Sequence, residues 1–254
     1  MKHTIPLLGA LILALAALSA CAPGETTVAP TPSPAPTTAP TNVPEPTPEP
    51  TDVPRPRPTP WRPTAPEQPC EPSDSRSCNI LFVLPESGYP YWTWSMPSEF
   101  EQAGYEVSVA SRAITSVNSC PAGTTSMEVD LQLADVNVQV YDAVILTGGG
   151  GCQSQWDDEE AHRILRDAVE HEVVLAAVGC APTILAHAGL LEDRLAAMCR
   201  LDWEHKQGLD YCEVIEDLGA ICTNQVLVRD GLIVTARPRS WLFVPGMLEM
   251  LAAR

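Results

Sequence analysis

The run Glu172-Val173-Val174-Leu175-Ala176-Ala177-Val178-Gly179-Cys180-Ala181-Pro182 reads as a buried strand ending in an abrupt turn, and Thr183-Ile184-Leu185-Ala186-His187-Ala188-Gly189-Leu190-Leu191 continues as a helix. A strand–turn–helix elbow of this kind presents a nucleophile on a strained backbone. It needs small residues two places before and two places after, so that strand and helix can approach. Cys180 is the nucleophilic side chain present, and it is the candidate catalytic residue. Centring the elbow on it, however, puts Val178 and Pro182 at the flanks. Centring on Gly179 puts Ala177 and Ala181 there, and glycine adopts φ > 0 without penalty. The pattern is the scaffold of a nucleophilic site with glycine at its focus.

Two other segments carry residues suited to such a site. Gly148-Gly149-Gly150-Gly151-Cys152 offers close backbone approach and N–H groups for an anion or oxyanion. No Gly-Lys-Ser/Thr follows, which argues against a nucleotide-phosphate loop. Residues 86–94 hold one carboxylate, Glu86, with Tyr89, Tyr91, Trp92 and Trp94 close behind. They could form an aromatic ligand wall with one acid, although Trp92 and Trp94 are equally suited to tucking under the next helix. The candidate pocket is therefore Glu86, Tyr89, Gly148, Gly149, Gly179 and Cys180.

The elements that must position these groups are legible as alternating strand-length and helix-length segments, the pattern of a mainly parallel sheet with helices on both faces. Strands are expected over 80–84, 106–110, 143–146, 173–178, 196–199, 226–228 and 232–235, with Asp230-Gly231 turning between the last two. Asp157 with Glu160 predicts a capping box for a helix over 158–170, placing His162 and His171 at its surface. A final helix is expected over 241–252. In open α/β sheets ligands bind beyond the carboxyl ends of the strands, and the three loops above converge there.

The pieces Asn79-Ile80-Leu81-Phe82-Val83-Leu84-Pro85, Ala103-Gly104-Tyr105-Glu106-Val107, Tyr141-Asp142-Ala143-Val144-Ile145-Leu146-Thr147-Gly148-Gly149, the elbow, and Val226-Leu227-Val228-Arg229-Asp230-Gly231-Leu232-Ile233-Val234-Thr235-Ala236 resemble the PfpI/ThiJ family of the class I glutamine amidotransferase-like superfamily. The resemblance implies a flavodoxin-like three-layer sandwich. It further implies Gly148 and Gly149 as oxyanion-hole residues, and self-association as a homodimer. The family's elbow reads Ala-Ile-Cys-His-Gly-Pro. Aligned on Pro182, its Cys falls on Gly179 and its His on Cys180, which should still face the pocket. The family's Glu falls near 90–93, where no carboxylate stands.

Lys2 and His3 precede an apolar run over 5–17 that ends in Leu18-Ser19-Ala20-Cys21. This resembles a bacterial lipobox and predicts removal of residues 1–20 and lipid (palmitate-type) attachment to Cys21. Residues 22–76 contain 18 of the 26 prolines and no apolar periodicity. They are expected to form an unfolded spacer, at about 3.1 Å per residue if extended. Residues 21–77 are thus read as anchor and tether, and 78–254 as the domain.

The 177 residues from Cys78 onward carry 25 acidic and 10 basic side chains, a formal net charge of −15. This opposes nucleic-acid binding. After Cys21 there are eight cysteines, which suggests disulfides outside the cytoplasm. Cys70–Cys78 is the simplest local pair, Cys199 and Cys222 could be neighbours, and two of Cys152, Cys180 and Cys199 are expected to be bonded. No CxxC spacing or interleaved histidines indicate zinc, and no cofactor is expected. The sequence points to a lipid-anchored cell-envelope protein whose domain has lost the family nucleophile and binds a small molecule or protein. The competing readings are a Cys180-dependent hydrolase or glyoxalase-like enzyme, and a thiol-redox protein.

Overall fold

The computed structural model describes residues 69–73, 77–113, 115–120, 125–198, 209–238 and 240–254. The leader, Cys21, the proline-rich stretch up to residue 68, Cys199 and His205 lie outside them.

In chain order the elements are β1 (Asn79–Val83), β2 (Tyr89–Pro90), α1 (Met96–Gln102), β3 (Glu106–Ser111), β4 (Ser116–Cys120), β5 (Ser126–Glu128), β6 (Leu131–Gln132), β7 (Ala143–Thr147), α2 (Glu159–Glu170), β8 (Val174–Val178), α3 (Pro182–His187), β9 (Leu195–Ala197), α4 (Tyr211–Asp217), β10 (Ile221–Thr223), β11 (Leu227–Asp230), β12 (Ile233–Ala236) and α5 (Phe243–Ala252).

The main sheet has seven strands in the order β11-β12-β8-β7-β1-β3-β6, parallel except where β11 pairs antiparallel with β12. Its central strands are buried on both faces, which is why they read as continuous apolar runs. The two-residue period of a strand divides them between two cores. Ile80 and Phe82 of β1, Ile145 of β7, and Val174, Ala176 and Val178 of β8 pack with Met96 and Phe100 of α1 and Phe243, Met247 and Met250 of α5. Leu81, Val83, Val144, Leu146, Leu175 and Ala177 face the opposite way, against Ile164 and Leu165 of α2, Ile184 and Leu185 of α3, and Ile215 of α4. This is the flavodoxin-like three-layer sandwich expected from the sequence. Truncating a fully buried member such as Leu165 to alanine should cost about 2–5 kcal/mol.

Several local expectations are corrected. The N-cap of α2 is Asp158, whose carboxylate accepts from the N–H groups of Glu160 (3.0 Å) and Ala161 (3.1 Å). The Asp157–Glu160 capping box does not form, because the cap lies one residue later. Arg112, at the end of β3, pairs with Asp158 through two guanidinium nitrogens and makes aspartate the better cap there. His162 is buried, not superficial, since it lies one turn before Leu165 on the face that also buries Ala161 and Ala168; His171 is exposed. The strand expected over 196–199 is β9, which leaves the main sheet and pairs in parallel with β10. A third sheet, β2-β4-β5, was not anticipated, because its strands are two to five residues long and carry no apolar run.

Cys70–Cys78 forms as expected. Cys222 bonds Cys212, and so ties α4 to β10; its suggested neighbour Cys199 lies outside the described residues. Each bridge closes a loop of roughly ten residues, worth roughly 2–3 kcal/mol on the loop-closure argument.

Candidate functional site

β8 delivers the elbow. Gly179 has φ +77°, the left-handed conformation that favours glycine, and its N–H donates to the carbonyl of Ala236 at 3.0 Å. A Cβ at this position would stand 3.5 Å from the ring edge of Trp92. The ground a nucleophile's side chain would occupy therefore lies under an indole.

Cys180 does not face an open pocket, as the sequence suggested. It is 5% exposed and turns beneath the glycine loop that follows β7. Its Sγ accepts the N–H of Gly149 at 3.0 Å and donates to the Gly149 carbonyl at 3.3 Å. Gly148 must be glycine, because a Cβ there would lie 2.5 Å from that sulfur. Burial, and then the neighbouring Cys152 thiol, push the Cys180 thiol well above its ordinary range, against the opposing Gly149 N–H. A thiol so placed is held protonated, the reverse of an activated nucleophile. Cys152 and Cys180 are both free, so no two of Cys152, Cys180 and Cys199 are bonded to one another in the manner expected.

The glycine run serves packing. A Cβ at Gly149 would fall 2.2 Å from the carbonyl oxygen of Gly88, and one at Gly151 would fall 2.0 Å from that of Ser87. The loop after β1, the glycine loop and the elbow interlock so closely that side chains are excluded. The two N–H groups implied as oxyanion donors are both engaged: Gly148 donates to Val178 at 3.0 Å and Gly149 to Cys180. An oxyanion would have to displace one of these bonds, whereas an effective hole is preorganised.

Tyr89 is not a pocket wall. It is wholly buried, its hydroxyl is 2.8 Å from Thr125 Oγ1, and burial raises its pKa. Glu86 is exposed, and its charge acts on Arg112. Trp92 is half-buried, but Trp94 is 55% exposed and does not tuck beneath α1. The fold brings Gly148, Gly149, Gly179 and Cys180 together; Glu86 and Tyr89 do not join them.

The opening beside the elbow is a groove of about 420 Å³ walled by Tyr91, Trp92, Met96, Ser240, Trp241 and Val244, with Glu99 at its edge. Ser240 Oγ is buried there without a partner among the described residues, and Trp241 is 76% exposed. The sequence anticipated the Tyr91 and Trp92 side of this wall but missed Ser240, Trp241 and Val244, since Trp241 appeared only as the start of the final helix; a tryptophan preceding an apolar helix was the available signal. A comparable hollow of about 440 Å³ lies at the opposite, amino ends of the strands. Its central carboxylate, Asp142, is taken up by the N–H groups of Ser77 (3.1 Å) and Cys78 (2.6 Å), which suits a structural role.

The described histidines lie on the other layer. His187 is a packing residue and stacks on Trp156 at 4.6 Å. Trp156 in turn donates to Thr183 Oγ1 at 2.7 Å, and Thr183 donates to the Cys180 carbonyl at 2.7 Å. Among the described residues no group of three His, Cys, Asp or Glu is placed to hold a metal ion. No helix among them is long and apolar enough to cross a membrane.

Fold and elbow together define a flavodoxin-like α/β domain built around a strand–turn–helix active-site scaffold. The DJ-1/PfpI family profile matches residues 80–244, and the chain belongs to that family. An uncharacterized protein of Methanocaldococcus jannaschii is 28% identical over 159 residues, covering 61% of this chain and 71% of that protein. The fold is shared with a ThiJ/PfpI domain protein from Brachyspira murdochii (TM-score 0.62, 23% identity, 70% of this chain and 98% of that one). It is also shared with Drosophila melanogaster DJ-1beta (TM-score 0.52, 21% identity, 68% and 86%).

Proposed function

We propose that this chain is an envelope-anchored member of the DJ-1/PfpI family that binds a ligand without turning it over. One arrangement carries the reading: glycine stands at the elbow, Trp92 lies over it, and the N–H groups of Gly148 and Gly149 are bonded within the protein. Turnover of the acyl-transfer or glyoxalase type needs a reachable nucleophile, a base within hydrogen-bond reach and free oxyanion donors. The aromatic groove beside the elbow is the seat for a ligand, suited to a small molecule or a protein side chain with a flat apolar face. Residues 1–20 act as the leader, Cys21 bears the lipid, residues 21–77 are the spacer, and residues 78–254 work outside the cytoplasm. The support for this arrangement is the lipobox Leu18-Ser19-Ala20-Cys21 and the proline-rich sequence behind it.

The test compares wild type with Cys180→Ser for peptide hydrolysis and for consumption of a reactive dicarbonyl. Both should stay at background. A measurable turnover that disappears in the variant would overturn the reading. Separately, labelling with a fatty-acid analogue should mark the wild type and not Cys21→Ser; equal labelling of both would remove the anchor.

A further inference from the structure

The two free thiols of the described residues meet under the glycine loop, although they are 28 positions apart in sequence. Cys152 follows the loop at the carboxyl end of β7, and Cys180 follows the elbow at the carboxyl end of β8, the adjacent strand. Both converge on one peptide unit. The Gly149 carbonyl accepts the Cys180 S–H at 3.3 Å and the Cys152 N–H at 3.1 Å. The Cys152 thiol is also near enough to help raise the pKa of the Cys180 thiol. Neither residue sits inside a main-sheet strand or a long helix, so loop torsions alone can bring the sulfurs together. The same domain already carries two disulfides, Cys70–Cys78 and Cys212–Cys222. It therefore matures where thiols are oxidised.

We propose that Cys152 and Cys180 are a reversible dithiol site that takes disulfide oxidants and is converted to a third bridge, stapling the glycine loop to the elbow. This goes beyond ligand binding in the groove and stands independently of it. The chemistry is thiol–disulfide exchange. Cys180, 5% exposed against 1% for Cys152, loses its proton to solvent and attacks one sulfur of RSSR, forming Cys180–S–S–R and expelling RS⁻. Cys152 then loses its proton, attacks the Cys180 sulfur and expels the second RS⁻. The protein is oxidised by two electrons, RSSR is reduced to two RSH, and the two thiol protons end on the two RS⁻. Exchange is slow at neutral pH, because burial holds Cys180 protonated, and it quickens as pH rises.

Oxidation also changes the Gly149 contacts. The S–H that met its carbonyl is gone, so the oxidised and reduced loops differ in hydrogen bonding directly beside the groove.

The experiment incubates the full chain with excess oxidised glutathione at a series of alkaline pH values, then quenches in acid, denatures, alkylates and maps peptides by mass. The expected result is loss of two hydrogens, one Cys152–Cys180 cross-linked peptide, no retained glutathione, and a rate that climbs about tenfold per pH unit below the Cys180 pKa. The bridged form should melt about 5 °C higher than the reduced form. Persistent alkylation of both residues, a stable glutathione adduct on either, or a bridge from either to Cys120 or Cys199 would overturn the proposal. Cys152→Ser should stop the reaction at the mixed disulfide; should that variant fail to fold, the wild-type peptide map decides alone.

Discussion

The ring edge of Trp92 lies 3.5 Å from the point where a Cβ on Gly179 would stand. One residue thus walls the surface groove and also overlies the elbow glycine, so the groove and the elbow share a single side chain.

Restoring the nucleophile should not restore the enzyme. In Gly179→Cys a Cβ must adopt φ near +77°, a strain of about 1–2 kcal/mol, and the thiol meets the indole. Urea unfolding should register that loss, and dicarbonyl consumption should stay within a few-fold of background. Adding Trp92→Ala should speed alkylation of the new cysteine without creating turnover, because Gly148 and Gly149 still lack free N–H groups.

Cys180 should be among the slowest thiols of the folded protein. Burial and the Cys152 thiol raise its pKa well above the ordinary value, so the alkylation rate should keep rising with pH and show no plateau near neutrality. Iodoacetamide labelling followed by peptide mass spectrometry checks this. A plateau near pH 7 would identify a low-pKa thiolate and revive the enzyme reading.

Asp158 should matter more than its partner. Asp158→Ala removes the cap of α2 and leaves two N–H groups exposed, costing about 0.5–2 kcal/mol. Arg112→Ala should cost less, since that side chain is half exposed and pairs of this kind are screened. Burial pushes the Asp158 carboxyl upward, but the hydrogen bond from Arg112, with those from Ala161 and Glu160, outweighs it and leaves the pKa below its usual value. This contribution is full above the unfolded pKa of about 3.9 and is lost as pH falls through the folded value. Melting curves of wild type and Asp158→Asn should converge in that acid range.

His187 gives a second pH dependence at higher pH. Burial depresses its pKa, and nearby His162 adds to the effect while Asp157 opposes it. The unfolded chain therefore takes up the proton first. Stability is full above the unfolded value of about 6.5 and declines as pH falls through it towards the folded value. His187→Phe, which keeps the stack on Trp156, should lessen the fall in thermal stability as pH drops below about 6.5.

Binding in the groove should depend on its aromatic wall. Trp241→Ala removes a 76% exposed indole and should leave the melting temperature nearly unchanged. Quenching of intrinsic fluorescence by a planar aromatic probe should weaken by about tenfold if that indole stacks on it. An unchanged affinity would move the ligand seat elsewhere.

The layered fold was legible because each central strand is buried on both sides: a segment such as Val174–Val178 has no polar alternative to a sheet core. The left-handed Gly179 was legible from its alanine flanks. The direction of Cys180 was not, because it depends on how Gly148, Gly149 and Gly88 mesh, and that meshing is a tertiary contact with no local spacing. Tyr89 and Glu86 belonged to the right loop but face other neighbours, since loop residues take their orientation from what packs against them. The partner of Cys222 was equally out of reach: Cys212 lies on α4, and which face of that helix meets β10 is decided by the core beneath it.

The Cys70–Cys78 bridge also fixes how a pulling force would be shared. A tug on the chain upstream of Cys70 crosses the sulfur–sulfur bond to Cys78, and so bypasses the residues between them. Cys78 is pinned by the Asp142 carboxylate and leads straight into β1, which is clamped in parallel by β3 on one side and β7 on the other. The load therefore reaches the middle of the sheet as shear along several backbone hydrogen bonds that must fail together, rather than as peeling from an edge. Tension applied at the amino-terminal side is thus carried into the domain through its central strand.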